Sequence, residues 1–234
     1  MLTEQKSPNG LSEFLNYLAC IDSDGQGDRI PPLSDLSAKL GVSIASLREQ
    51  MEVAKTMGLV EARPRTGIRK LAYSFKPAVV QSLKYVMVIN PEALKSYSDL
   101  RNHVEASYWY QAVQLLNAED HQELKGLISR AREKLHGQPI QIPHAEHRAL
   151  HLTIYKRLNN PFVLGLLEAY WEVYEAFGLN VYSDLAYHER VWDYHAKMVE
   201  AICNRNISAG YDALMEHMDL IYQREKKPVT QAFE

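Results

Sequence analysis

Four of the chain's nine histidines are spaced for metal chemistry. His147 and His151 stand four apart in a stretch of helical pattern, so both project from one face, close enough to share an ion. His195 falls in a later helix and His217 in the one after it. In a bundle, three helices can aim four imidazoles at one interior point. Imidazole suits zinc, nickel, copper and iron, so the ligand type does not select the metal. The expected cofactor is a divalent transition metal, zinc or nickel first. His144 shares the stripe of His147 and His151 and is the weaker ligand. A plainer alternative stays open: single helical histidines commonly pack or face solvent, and an i,i+4 pair also arises by chance. The pair reads HRALH, without the glutamate of HExxH, which argues against a zincin protease.

Other chemistry finds little footing. No nucleophile elbow, P-loop or dinucleotide fingerprint occurs, and the 11 glycines form no phosphate cradle. Trp109, Tyr110, Tyr170, Trp171 and Tyr174 are expected to fill a core or line a pocket, with simple packing the first reading of each. Cys20 and Cys203 are the only cysteines and stand far apart, so a disulfide framework is not expected and a reducing cytoplasm fits. No run of 18 apolar residues occurs, and MLTEQKSPNG lacks the apolar stretch of a signal peptide. A cytoplasmic protein without membrane partners is the expectation. Hydrophobic residues make up 46% and charged residues 24%, ordinary values for a chain with a sizeable core.

The net charge of −3 does not announce a nucleic-acid binder, but its distribution is uneven. Residues 1–75 carry nine basic and nine acidic groups, and within them Arg63, Arg65, Arg69 and Lys70 cluster in a stretch free of acids. Strong unspecific DNA binding is not expected there, whereas a focused basic contact is.

The elements that must position these residues follow from periodicity and breakers. Residues 11–22 place Leu11, Phe14, Leu15 and Leu18 on one helical stripe, and Asp22–Asp28 is turn-rich. A short helix, Leu33–Leu40, is stopped by Gly41. Ser43 caps a helix over about 44–57, whose apolar face is Leu47, Met51 and Ala54. Strand-like residues 59–63, a turn at Pro64 to Gly67 and a returning strand over Ile68–Tyr73 follow. Helix, short helix, tight turn, helix and hairpin make a winged helix-turn-helix, or else a small α+β packing unit without a DNA role. After Pro91 nearly everything is helical, with spans of about 92–117, 119–135, 144–158, 161–177, 183–204 and 207–225, and breakers that include Gly178. The fold class expected is mainly α: residues 1–75 a winged helix-turn-helix, 76–90 a linker entering the bundle, and 91–234 an all-helical bundle.

Several fragments resemble a known family. Leu40-Gly41-Val42-Ser43, Leu47-Arg48-Glu49, Gly58-Leu59-Val60-Glu61, Pro64 and Gly67 look like the winged helix of GntR-family transcription regulators. The later region resembles the FCD sensor domain of their FadR-like branch. The matching fragments are Arg101 to Glu105, His151 through Asn160-Pro161, His195 through Ala201-Ile202, and Ala213 to His217. The resemblance covers residues 10–225. It implies a homodimer that binds operator DNA under the control of a small metabolite, often a carboxylate. It also implies a metal held by one Asp and three His. His147 stands at the position of that Asp, leaving a set of four histidines, and Ile44 stands where the family usually has Arg.

On this reading the 44–57 helix enters the major groove and Arg48 contacts a guanine. Ser43, Ser46, Arg63, Arg65 and Arg69 meet phosphates or the minor groove. His147, His151, His195 and His217 hold the metal, and Arg101 is a second anchor for an effector carboxylate. The function expected is that of a regulator without catalytic activity. The rivals are a metal-dependent hydrolase and a direct metal sensor built on a helical bundle.

Overall fold

The computed structural model describes residues 10–21, 29–63, 67–176 and 185–222. Arg65, the rest of the turn at Pro64 to Thr66, the loop over 22–28 and Gly178 lie outside the described residues. The chain splits into two compact units, with the boundary between Tyr85 and Val86.

In the first unit, α1 (Glu13–Cys20), α2 (Leu33–Leu40) and α3 (Ile44–Thr56) pack together, α3 touching both of the others. Gly41 ends α2 in the left-handed conformation, φ 68°, which turns the chain into α3. Ser43 caps α3, its hydroxyl accepting from the Ser46 amide at 3.2 Å. Leu47, Met51 and Ala54 then face a core formed with Phe14, Leu18, Leu36 and Val60. The exposed face of α3 carries Arg48.

The wing has three strands rather than the expected two. β1 (Arg29–Ile30), β2 (Val60–Arg63) and β3 (Gly67–Lys70) form an antiparallel sheet in the order β1-β3-β2. β1 pairs Arg29 with Arg69 and Ile30 with Ile68. A two-residue strand has no periodicity to read; it exists only because Ile30 is buried and β3 offers a free edge. β3 ends at Lys70, short of the expected Tyr73. α4 (Lys76–Ile89) follows and runs across the unit boundary.

The regular elements among the second unit's described residues are all helices. The unit comprises α5 (Ala93–Gln114), α6 (Ala118–Leu135), α7 (His144–Tyr155), α8 (Pro161–Ala176), α9 (Leu185–Cys203) and α10 (Ile207–Tyr222). Caps set its joints. Asn117 and Asp120 form a reciprocal capping box at α6. Asn160 accepts from the amides of Phe162 and Val163, with Pro161 opening α8 where no amide is needed. α5 contacts α7, α8 and α10, and α9 contacts α6 and α10. Trp109, Leu124, Leu150, Ile154, Leu167, Trp192, Met198 and Leu214 fill the shared core. The fold is thus mainly α, a winged helix-turn-helix unit followed by an all-helical bundle.

Candidate metal centre

The stripe of α9 that packs inward repeats at helical spacing: His188, Val191, Trp192, His195, Met198, Val199 and Ile202 are buried. His195 is therefore on the core face by periodicity alone. His217 is placed the same way in α10, between Leu214 and Met218. On α7, His151 is buried beside Leu150 and Ile154, and His147 sits one turn earlier, partly exposed.

These four residues converge. One ring nitrogen from each of His147, His151, His195 and His217 lies within 4.8 Å of the others. His151 Nε2 and His195 Nε2 are 3.1 Å apart. Two nitrogens bound to one zinc at tetrahedral angles are about 3.3 Å apart, so this pair already has the spacing of co-ligands. His147 Nε2, His195 Nδ1 and both nitrogens of His217 are buried with no hydrogen-bond partner. A buried polar atom without a partner costs roughly 1–3 kcal/mol, and an ion at this point would take one nitrogen from each ring. The donor set fits a divalent transition metal.

Electrostatics keep the donors ready. Burial pushes His147, His195 and His217 well below the usual imidazole pKa, and the neighbouring rings push further in the same direction. Burial also lowers His151, against the opposing pull of Glu105. All four rings are then neutral near pH 7, as ligation requires.

Around the rings lies a buried polar layer from α5. Arg101 and Glu105 are 3% and 0% exposed. Arg101 Nε donates to Glu105 Oε1 at 2.9 Å and its Nη1 donates to Asn102 Oδ1 at 3.2 Å. Burial disfavours the charges of both partners, but each outweighs that cost for the other: Glu105 stays below the usual carboxylate range and Arg101 above its ordinary value. His151 Nδ1 faces both Glu105 Oε2 at 3.1 Å and Arg101 Nη2 at 2.9 Å, and one ring nitrogen cannot serve both. With His151 Nε2 turned to the cluster, Nδ1 carries the proton and donates to Glu105. That is the carboxylate–histidine arrangement that orients ligating imidazoles. Glu105 is the site residue that the reading of single residues missed. Its signal was an Arg and a Glu four apart on the same buried stripe of α5 as Leu94 and Trp109.

Aromatic rings wall the centre. Trp171 lies 4.7 Å from His147 and 5.3 Å from His151, and the Arg101 guanidinium lies over the Tyr170 and Trp171 rings at 5.0 and 5.3 Å. A cleft of about 20 Å³, room for roughly one water, reaches His147 between Pro143, Tyr174, Tyr187 and Trp192.

In the first unit, Ser43, Arg48, Arg63 and Arg69 are exposed and Ser46 is half-buried. Arg63 pairs with Glu61 at 3.0 Å, and Ser46 accepts from Gln50. Arg69 faces Arg29 across the sheet, a like-charge pair that the sequence pattern did not reveal.

A winged helix-turn-helix unit followed by an all-helical bundle is a fold shared with a GntR protein of known structure. The chain belongs to the FCD-domain family, whose model matches residues 97–220. It is similar to the uncharacterized HTH-type transcriptional regulator YcbG of Bacillus subtilis, 23% identical over 204 residues, which are 85% of this chain and 82% of that protein. Among solved structures it is similar to Streptococcus agalactiae GntR, with a TM-score of 0.59 and 17% identity over 83% of this chain and 88% of that one. The structure of McbR/YncC from E. coli aligns over 82% of this chain and 86% of that one, with a TM-score of 0.46 and 20% identity. Among the described residues, no helix is long and apolar enough to cross a membrane.

Proposed function

We propose that the chain is a cytoplasmic, homodimeric regulator whose operator binding is controlled by a small carboxylate bound at the four-histidine centre. The observation that carries this reading is the convergence of His147, His151, His195 and His217, with ring nitrogens of His147, His195 and His217 left unpartnered. A divalent ion there, zinc or nickel by donor type, supplies a positive point that a carboxylate oxygen binds. Four neutral imidazoles leave its full charge uncancelled, where an Asp ligand would remove one unit. Arg101, fixed by Glu105 and Asn102, adds a second positive group, and its direct contact with effector is part of the proposal.

At the other end, α3 presents Arg48 to the major groove, with Ser43 and Ser46 at its N-terminus for phosphates. Arg63, Arg65 and Arg69 serve the wing, and Arg29 joins them through its pairing with Arg69. Two copies related by a two-fold axis read two half-sites. Domain roles follow: residues 1–75 bind DNA, 76–90 link, and 91–234 bind metal and effector and dimerise.

The test joins elemental analysis with DNA binding. Purified protein is expected to hold one divalent ion per chain. DNA selected by the protein from a random pool is expected to bind in the absence of carboxylate, and a panel of small carboxylates should change that affinity only in metal-loaded protein. An ion-free preparation after metal supplementation would refute the centre. Operator binding that follows the metal alone, with every carboxylate silent, would make the ion itself the signal.

A further inference from the structure

Five side-chain atoms among the described residues are buried without a hydrogen-bond partner, and they gather in one place. Four are imidazole nitrogens of His147, His195 and His217, rings that would each give an ion one ligand atom. The fifth is the indole nitrogen of Trp171, whose ring touches His147 and His151. An indole N–H is a donor only and cannot ligate a metal. The ion takes one nitrogen from each ring and cannot take the Trp171 N–H, which needs an acceptor. A ring that serves packing alone does not need its N–H stranded, and Trp109 shows the usual solution: its Nε1 donates to the Ile207 carbonyl at 3.0 Å.

We propose that Trp171 is the residue that recognises the effector's carboxylate, donating its indole N–H to a carboxylate oxygen seated at the four-histidine centre. This rests on the metal-centre reading given above. Chemistry narrows the partner. Trp171 is 2% exposed, so the acceptor must come inside the bundle. The available protein acceptor, Glu105, is committed to Arg101 and His151. The surroundings are positive: four neutral imidazoles leave a divalent ion uncompensated, and the Arg101 charge is balanced by Glu105 alone. An anionic oxygen meets both demands at once, whereas a neutral amine or a thioether meets neither. The Arg101 guanidinium over the Trp171 ring also draws density from the indole and makes its N–H a better donor. Arg101 then acts partly through Trp171, by holding the ring in place. The one rival use of the N–H is a contact with a ring face, Tyr170 or His147, both at steep angles to Trp171.

The experiment uses full-length zinc-loaded protein and acetate as the probe. Trp171→Phe keeps an aromatic ring and deletes the donor. The variant is expected to hold as much zinc as the wild type by elemental analysis. Its acetate affinity by calorimetry should be about tenfold or more weaker, since hydrogen bonds to charged groups are the strong class. A second measurement does not depend on the variant folding. The three tryptophans give three indole resonances in a nitrogen–proton spectrum, and acetate should move one of them, Trp171, downfield. Equal acetate affinity in the two proteins overturns the proposal, as does an indole signal that acetate leaves in place, the result expected of a ring-face contact. Zinc loss in Trp171→Phe also overturns it, because the ring would then be a support of the ligands. A wild-type protein that takes up no zinc overturns the metal-centre reading itself, a result distinct from a zinc-loaded protein that ignores acetate.

Discussion

His217 has two buried ring nitrogens and a partner for neither, while His151 has Glu105 behind it and His195 before it. That contrast ranks the candidate ligands. His151 is held in place by α5 whether or not an ion is present; His217 is oriented by packing between Leu214 and Met218. Replacement of His217 by Ala is expected to abolish stoichiometric metal binding and remove the metal-dependent rise in melting temperature, read by elemental analysis and calorimetry on the same sample. His147→Asp should keep the ion, with a changed metal preference in competition experiments. The same burial sets a pH dependence for the chelated protein. The folded-state pKa values of all four histidines lie below the unfolded value near about 6.5. Below that value the unfolded chain binds protons that the folded chain refuses. Stability is therefore complete above about pH 6.5 and is lost as pH falls through and below it. Melting temperatures of chelated wild type from pH 8 to pH 5 should fall on the acid side. A flat profile would mean that the rings reach water. Of this site, the four converging histidines were legible from spacing and the family pattern. Glu105 was read only within the family pattern and Trp171 only as a ring of the core or a pocket wall, because a carboxylate that faces a histidine's second nitrogen, or an indole that lacks an acceptor, is defined only by what tertiary packing brings beside it.

The helices show how local signals and long-range pairing divide the work. α2 spans Leu33–Leu40 as its periodicity and Gly41 predict, and the bundle helices end close to the expected breakers, because caps and glycines act within a few residues. β1 has no such local cause and could be seen only once β3 lay beside it. The pair it creates, Arg29 opposite Arg69, is unfavourable in the free protein, since like charges directly opposite in a sheet repel. A polyanion reverses that sign. Changing Arg29 and Arg69 together to Gln is expected to leave thermal stability equal or slightly higher. It should weaken binding to all DNA sequences and flatten the salt dependence by roughly one unit for each phosphate that the wing no longer neutralises. Arg48 on α3 is proposed for a different class of contact: Arg48→Ala should cost about 1–3 kcal/mol on the selected operator and little on random DNA. Equal losses on both sequences, measured by anisotropy at fixed salt, would move Arg48 to the backbone contacts.

At the scale of the whole molecule, the proposed regulator is a coupling between a carboxylate in the helical unit and DNA at the winged unit. Coupling of this kind is reciprocal: if the carboxylate lowers operator affinity by some factor, operator must lower carboxylate affinity by the same factor. An effector with equal affinity for the DNA-competent and DNA-incompetent forms would shift nothing, however tightly it bound. The carboxylate that most raises the melting temperature in a thermal-shift screen is therefore the one to carry through. Its affinity is measured by calorimetry for free protein and for protein saturated with operator, and operator affinity is measured with and without it. The two ratios should agree, typically at about 5–150-fold. Chelation should bring both to one, because in the proposed regulator the carboxylate reaches its site through the ion that His147, His151, His195 and His217 would hold. Ratios of one in metal-loaded protein would separate the units energetically and leave the histidine centre a structural feature of the bundle.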